Sequence, residues 1–201
     1  MLSRRERDIV KREVLYWHGR KWTVHALTVM PDHVHVLATP LEASPGRWFP
    51  LSEIVRSIKV GSAFTINRGR GSKGALWQSE SFDRIVRDDR EFHEKEGYVI
   101  ENALRAGLVE DPWQWEGLWH PSVEAGRTGP RPAPHPGRAG PRPVPHPGRT
   151  GPRPVQACVS TPPTTPHQPR IPGDAVLRRR RKLPHWEFGG ATYFLTFRLR
   201  R

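Results

Sequence analysis

Residues 21–39 read KWTVHALTVMPDHVHVLAT, and this stretch decides the fold. β-Branched and apolar residues alternate with polar or small ones from Lys21 to Met30 and again from Val34 to Thr39. Only the short turn Met30-Pro31-Asp32 separates the two runs, and such close spacing is typical of an antiparallel hairpin. We therefore expect two neighbouring antiparallel strands in this part of the chain.

Three segments around the hairpin have apolar residues at helical spacing, which predicts three helices. They cover residues 3–17, residues 51–67 and residues 90–106. Ser3 is the N-cap candidate of the first helix, and Gly107 closes the third. Residues 82–86 predict a further strand, and Gly69 to Gly74 predicts a loop.

The composition changes sharply after the first 120 residues. The whole chain has 201 residues and a net charge of +13, but residues 1–120 hold 18 Lys/Arg and 17 Asp/Glu. Nearly all of the excess, a net of +12, therefore belongs to residues 121–201. A basic tail of this kind suits a polyanion such as nucleic acid, although it can also be a solvated surface.

An eleven-residue repeat marks the start of this tail. GRTGPRPAPHP, GRAGPRPVPHP and GRTGPRPVQAC begin at Gly126, Gly137 and Gly148. Proline lacks the amide donor that a helix or sheet needs, so we expect a disordered, extended linker over residues 121–177. The predicted organisation is thus a domain at residues 1–120, this linker, and a unit at residues 178–201.

Cysteine usage and the N-terminus indicate the compartment. Cys158 is the sole cysteine, which excludes a disulfide framework and a thiolate metal cluster. The first residues, MLSRRERDIV, are charged where a secretory signal is apolar. No apolar run approaches the roughly 20 residues that span a bilayer. We expect a soluble, cytoplasmic protein with no membrane partner.

His33-Val34-His35 is the first element that carries chemistry. Residues i and i+2 of a strand point to the same face, so both imidazoles can converge on one cation. Neutral imidazole suits a divalent metal, and two ligands leave coordination positions open for a substrate phosphate. The alternative is that the two rings simply face solvent.

Tyr98 and Asn102 form the second element. Four residues apart on a predicted helix, they lie on one helical face. A phenol hydroxyl can attack phosphorus, and the resulting ester keeps the energy of the cleaved linkage. The Asn102 amide oxygen can serve the same metal. Alternatively, Tyr98 is a half-buried aromatic residue and Asn102 a solvated helix residue.

Three ordered blocks carry a family resemblance: HALTVMPDHVHVL at 25–37, LWQSESFDRIVRD at 76–88 and YVIENALRAGLV at 98–109. Together they resemble the single-tyrosine HUH transposases of small insertion sequences, in particular the REP-associated tyrosine transposases. The resemblance runs from about His25 to Trp119. One departure is Asn102-Ala103, where the family usually has Asn-Pro.

The resemblance implies a ferredoxin-like or RRM-like α+β domain, with an antiparallel sheet and helices on one side. It implies Mg²⁺ or Mn²⁺ held by His33 and His35, with Asn102 as a third ligand. Tyr98 is then the nucleophile on single-stranded or hairpin DNA, and it forms a 5′-phosphotyrosine link that a second strand's 3′-hydroxyl resolves.

The segment that forms the first strand in the family has its counterpart near the C-terminal end of this sequence. Family members begin with a segment like LPHWE-GATYFVTFRL, which here occupies Leu183 to Leu199. The order resembles a circular permutation, or one copy followed by the start of a second. We expect Tyr193 to Leu199 to insert back into the sheet, in a monomer or a strand-swapped homodimer; the alternative is a dangling remnant.

Arginines supply the candidate DNA contacts outside the centre. Arg84 and Arg87 can touch phosphates or form a solvated face, and the run Arg178, Arg179, Arg180 and Arg181 suits non-specific contact. Two other predictions concern packing. His25 packs or hydrogen-bonds within the sheet, with metal binding as the alternative. Trp113, Trp115 and Trp119 cap the core, with base stacking as the alternative.

Three functions fit these observations. The first is a metal-dependent transposase that nicks and transfers single-stranded DNA through Tyr98. The second is an inactive or domesticated protein that binds DNA hairpins without cutting them. A third is a phosphohydrolase that uses the histidine pair and has no need of Tyr98.

Overall fold

The computed structural model describes residues 1–124, 176–180 and 183–200, with the backbone alone for 123–124, 176–180 and 183–187. Its helices are α1 (Arg4–Tyr16), α2 (Leu51–Arg70), α3 (Asp89–Ile100), α4 (Asn102–Arg105) and α5 (Pro121–Glu124), with a 3₁₀ turn at Pro112–Gln114. The strands are β1 (Trp22–Val29), β2 (His33–Pro40), β3 (Glu42–Ser44), β4 (Arg47–Trp48), β5 (Phe82–Ile85), β6 (Leu118–Trp119), β7 (Val176–Arg180), β8 (Leu183–Glu187) and β9 (Tyr193–Arg198).

Most of the predicted elements are confirmed, including the hairpin β1–β2 and the N-cap Ser3. Two bounds differ. α2 runs through Arg70 into the predicted loop, and its end comes at Gly71, which has a positive φ of 63°. The predicted helix 90–106 is interrupted at Glu101, so Tyr98 lies on α3 and Asn102 begins α4.

A five-stranded sheet in the order β5-β9-β2-β1-β6 is the centre of the fold, and its strand pairs are antiparallel. If β9 is counted first, the order of elements becomes strand, α1, strand, strand, α2, strand. This is the ferredoxin-like β-α-β-β-α-β pattern. The α+β class and the antiparallel sheet are therefore confirmed.

The displaced strand occupies a central place in this sheet. β9 pairs with β2 from Tyr193 opposite Ala38 to Arg198 opposite His33, and its other edge pairs with β5. Both partners belong to the same chain. This pairing confirms the prediction that the C-terminal strand inserts back into the sheet. Without β9, the backbone groups of β2 and β5 on the sides that face each other would have no hydrogen-bond partner.

One face of the sheet is covered by α1 and α2. Alternate residues of β9 bury their side chains against them, Tyr193, Leu195 and Phe197, each at most 1% exposed. The same apolar cluster includes Trp22 and Val24 of β1, Val34, Val36 and Ala38 of β2, Val10 and Val14 of α1, and Ile54, Ile58 and Ile66 of α2.

The opposite face is covered in part by α3, where Val99 packs with Ala26, Leu37 and Phe194. The expectation of helices on one side therefore holds for α1 and α2 and is wrong for α3. The physical reason is that this face also carries apolar side chains, Ala26, Leu37 and Phe194, and α3 removes them from water.

Residues after α4 fold back on the end of β1. Met30, Ile100, Ala103, Trp115 and Leu118 form a separate buried cluster there. Trp115 donates its Nε1–H to the carbonyl oxygen of Val29 at 3.1 Å, and Trp119 is buried in the main core. Trp113 packs against the smaller cluster from outside. The predicted tryptophan cap is confirmed.

The predicted linker lies mostly outside the described residues, which resume at β7. β7 and β8 pair as a separate two-stranded ribbon. β7 spans the expected boundary between residues 177 and 178. The predicted domain limits, 1–120, 121–177 and 178–201, stay predictions. Within the part of the chain that the structure describes, no helix is long and apolar enough to cross a membrane.

Candidate functional site

The two histidines of β2 lie side by side on the sheet face that α3 covers in part. Alternation along the strand puts both rings on that face, with 4.7 Å between their centroids. Their exposure differs, because His35 is buried at 4% whereas His33 lies at the start of the strand and is more accessible.

Each imidazole has its Nδ1 atom engaged by an oxygen. His33 Nδ1 lies 2.6 Å from Asp32 Oδ1, and His35 Nδ1 lies 2.8 Å from Thr196 Oγ1. When Nδ1–H donates to such an oxygen, the lone pair is left on Nε2, the usual arrangement around a metal-binding histidine. Among the described residues neither Nε2 atom has a hydrogen-bond partner, so both suit a cation.

The charge state of His35 also suits a ligand. Burial is the largest cause, and together with the positive charges of His33 and Arg198 it lowers the pKa of His35 to about 3, against an opposing effect of Asp32. The ring is therefore neutral at physiological pH. A neutral imidazole is the form that binds metal ions.

Tyr98 brings a phenol to the same place from α3. Its ring contacts His35 edge to face with 5.2 Å between centroids, and contacts Phe194 at 5.7 Å. Phe194 also stacks on His35 at 5.5 Å. Tyr98 is 36% exposed, so its ring is held by the two neighbours while solvent or a substrate reaches it.

Asn102, the predicted third ligand, lies one helical turn further on. It is 8% exposed at the start of α4, beyond the interruption at Glu101. Within the described residues its side-chain amide forms no hydrogen bond, and none joins it to the histidines or Tyr98. The structure thus links three of the four predicted residues through ring contacts, from His33 to His35 and from His35 to Tyr98.

The site fits a metal that is bound in part by its substrate. No group of three or more His, Cys, Asp or Glu side chains in the described ranges could hold a metal ion. Two imidazoles are therefore the protein ligands that this face offers directly. A cation here would need further oxygen ligands from water, an amide or a phosphate.

The candidate arginines differ in their positions and contacts. Arg84 of β5 forms an ion pair with Glu91, with 2.6 Å between Nε and Oε1. The backbone N–H of Arg87 donates to the same carboxylate at 3.1 Å. Arg178 to Arg180 lie on β7, where the backbone alone is described, and Arg181 lies outside the described residues. Contact of any of them with DNA stays a prediction.

Thr196, Phe194 and Asp32 are site residues that the sequence analysis missed. Asp32 directly precedes His33, so a carboxylate next to the pair was a readable signal. The roles of Thr196 and Phe194 depend on where β9 pairs. Thr196 lies opposite His35 in that pairing, a register that the sequence does not reveal.

His25 behaves as predicted. Its Nε2 atom lies 2.8 Å from Thr39 Oγ1, and its ring packs edge to face on Phe92 of α3. Burial is the largest cause that lowers the pKa of His25. It is a packing and hydrogen-bonding residue of the sheet.

Comparison with known proteins gives one relative of interest. No protein-family profile and no solved structure matches the chain. A protein of Haemophilus influenzae with the provisional name REP-associated tyrosine transposase is 24% identical over 106 residues. That alignment covers 50% of this chain and 60% of the relative, so the chain spans less than two thirds of the relative's length. The similarity gives loose support to the predicted family.

Proposed function

We propose that the chain is a metal-dependent, single-tyrosine DNA transposase that nicks and rejoins single-stranded DNA, hairpins included. One observation carries the proposal: His33, His35 and Tyr98 meet on one sheet face, and both histidines keep Nε2 without a hydrogen-bond partner in the described structure. The relative named as a tyrosine transposase supports the same reaction class.

His33 and His35 would hold Mg²⁺ or Mn²⁺, with Asn102 as the candidate third ligand. When bound, the cation supplies positive charge to the scissile phosphate as it becomes pentavalent. The residues around it fix position. Asp32 and Thr196 orient the two imidazoles, and the Phe194 ring stacks on the ring of His35.

Tyr98 is the proposed nucleophile. Its phenol oxygen forms a bond to phosphorus while the bond from phosphorus to the 3′ oxygen breaks. The phenol loses a proton and the departing 3′ oxygen gains one, which leaves a 5′-phosphotyrosine link and a free 3′-hydroxyl. Attack by another 3′-hydroxyl reverses the step and rejoins the strands.

A gel assay tests this proposal. The full chain is incubated with Mn²⁺ and labelled hairpin DNA from the flanks of its own gene, then denatured. We expect a covalent protein–DNA band that is lost in Tyr98→Phe and retained in Tyr16→Phe. Tyr16 is the matched control because it is 55% exposed, on α1, away from the histidines.

The outcome separates the three functions. A folded protein that binds the hairpin and gives no band is a hairpin-binding protein. Metal-dependent cleavage that survives in Tyr98→Phe indicates a phosphohydrolase. The binding-only function has one structural point in its favour, since the described residues offer two histidines and no third acidic or imidazole ligand.

A further inference from the structure

An exposed aromatic side chain lies on the same sheet face as the histidine pair. Phe82 of β5 is paired with Thr196 of β9, and Thr196 is paired with His35 of β2. Directly paired residues of antiparallel strands share a face. Phe82 therefore lies in line with His35, two strands away, which is about 10 Å at the usual strand spacing.

The exposure of Phe82 sets it apart from the other aromatic residues of β9 and β5. Phe194 and Phe197 are buried at 7% and 1%, whereas Phe82 is 56% exposed. β5 is the last strand of the sheet on this side, so nothing in the sheet lies beyond it to cover the ring. An edge position is usually protected by charge, and an apolar ring there needs another explanation.

Positive charge flanks this row on both sides. Arg198 is paired with His33, so it lies on the same face, one row toward the start of β2. Its side chain is exposed. On the other side, Lys95 Nζ lies 5.4 Å from the centre of the Phe194 ring.

An exposed ring between two cations matches the chemistry of single-stranded DNA. An unpaired base stacks on an aromatic face, and the phosphates on either side of it meet the cations. A base inside a duplex is already stacked on its neighbours, so its faces are closed to Phe82. The arrangement therefore favours an unpaired strand over duplex DNA.

We propose that Phe82 and Arg198 form a nucleotide-binding subsite that guides single-stranded DNA from the β5 edge to the histidine pair. A base stacks on Phe82, and a neighbouring phosphate binds Arg198. The role of this subsite, to guide DNA to the histidine pair, rests on the proposed function. Its binding chemistry, however, needs neither the metal nor Tyr98.

Equilibrium binding without metal tests the subsite separately from cleavage. The probe is a fluorescein-labelled oligothymidylate of about twelve nucleotides, titrated with the full chain in EDTA, with anisotropy as the readout. We expect Phe82→Ala and Phe82→Leu to weaken binding about 5- to 150-fold, the usual cost of a lost stacked base. Phe82→Trp should bind at least as tightly as the original protein.

Arg198→Gln should also weaken binding. The slope of log affinity against log salt concentration should fall in magnitude by about 0.7, which is the change expected when one phosphate contact to a single strand is lost. Matched controls come from α2, which covers the opposite face. They are Phe64→Ala, whose ring is 68% exposed, and Arg56→Gln. Neither control should change the affinity or the salt slope.

Several results would overturn the subsite. These are an original protein that does not bind the oligonucleotide, a Phe82→Ala affinity within twofold of the original, or equal losses in Phe82→Ala and Phe64→Ala. Thermal melting checks that each variant is folded. If Phe82→Ala is not folded, the comparison of Phe82→Leu with Phe82→Trp replaces it. Both side chains are large and apolar, but only tryptophan can stack on a base. A failed cleavage assay with normal binding would count against the transposase chemistry alone.

Discussion

The Nδ1 atom of His35 lies 2.8 Å from the Oγ1 atom of Thr196, a residue 161 positions away in the chain. Thr196 belongs to the C-terminal strand, whereas His35 belongs to the hairpin near the start. The candidate site is therefore assembled from both ends of the sequence. Without β9, His35 would lose its Nδ1 partner and the stacked ring of Phe194 together.

Removing the Thr196 hydroxyl should weaken metal binding. In Thr196→Val the side chain keeps its shape but cannot accept from His35 Nδ1–H, so Nε2 is no longer fixed as the free nitrogen. We expect Mn²⁺ affinity to fall about 10- to 100-fold, the usual effect of losing such a partner. Thr196→Ser keeps the oxygen and should stay within about threefold. Calorimetric Mn²⁺ titration that gives equal affinities for Val and Thr would contradict this role.

Loss of β9 should unfold the sheet. Phe197 is 1% exposed and packs on Trp77 with 5.0 Å between ring centroids. Phe197→Ala should lower the free energy of unfolding by about 3–5 kcal/mol, the usual cost of a buried phenylalanine. Deleting residues 183–201 should abolish cooperative unfolding altogether. Leu104→Ala, at an exposed position, is the control and should change little.

Thermal and urea denaturation measure these effects. Unchanged melting of both the deletion and Phe197→Ala would mean that β9 is dispensable, and the central position of the strand would then be wrong.

The ion pair between α1 and α2 should make stability depend on pH. The hydrogen bond from Arg70 is the largest cause that lowers the pKa of Glu6 from 4.5 to about 2. The unfolded state therefore binds more protons between these values. The contribution of Glu6 is complete above about pH 4.5 and is lost as the pH falls toward 2.

Glu6→Gln should accordingly cost about 1 kcal/mol at pH 7, a typical value for a surface ion pair and cap. Near pH 2, where about half of the folded molecules have Glu6 protonated, the difference between the variant and the original protein should be much smaller. Glu110→Gln, at an exposed position, is the control. Urea unfolding at both pH values gives the measurement, and a difference that is undiminished at pH 2 would argue against the ionic contribution.

Gly117 should be intolerant of a side chain. A Cβ atom there would lie 2.3 Å from the carbonyl oxygen of Val29 and 2.5 Å from Trp115 Nε1. Val29 also donates its backbone N–H to the Gly117 carbonyl oxygen at 3.0 Å. Gly117→Ala should therefore destabilise the protein by about 1–3 kcal/mol through overpacking.

In contrast, a Cβ atom at Gly69 meets no atom within 4 Å, so Gly69→Ala should stabilise α2 by about 0.5–1 kcal/mol. Equal melting temperatures for the two variants would refute the close approach.

Local sequence patterns predicted the elements, and the family resemblance predicted how they combine. The alternation through His33 and His35 gave the strand and its shared face. Spacing alone could not place residues 193–198 between β2 and β5, because strand order depends on contacts across more than 150 residues. That step came from the likeness of the C-terminal segment to a first strand.

Other features had no local signal. The position of α3 on the second face follows from tertiary packing of Val99 on Leu37 and Phe194. No proline or glycine marks the interruption at Glu101 between Tyr98 and Ala106, so the sequence gave no clear stop signal there. The partnership of His35 with Thr196 needs the register of β9. These are long-range effects, and single-sequence patterns report short-range ones.

The most direct test of the proposed tyrosine chemistry is to identify the residue that carries DNA after cleavage. The full chain is reacted with Mn²⁺ and hairpin DNA from its own flanks, digested with nuclease and protease, and analysed by mass spectrometry. We expect a nucleotide attached to the peptide that contains Tyr98, through a tyrosine–5′-phosphate ester. Attachment at another residue, or cleaved DNA with no attached peptide, would contradict it.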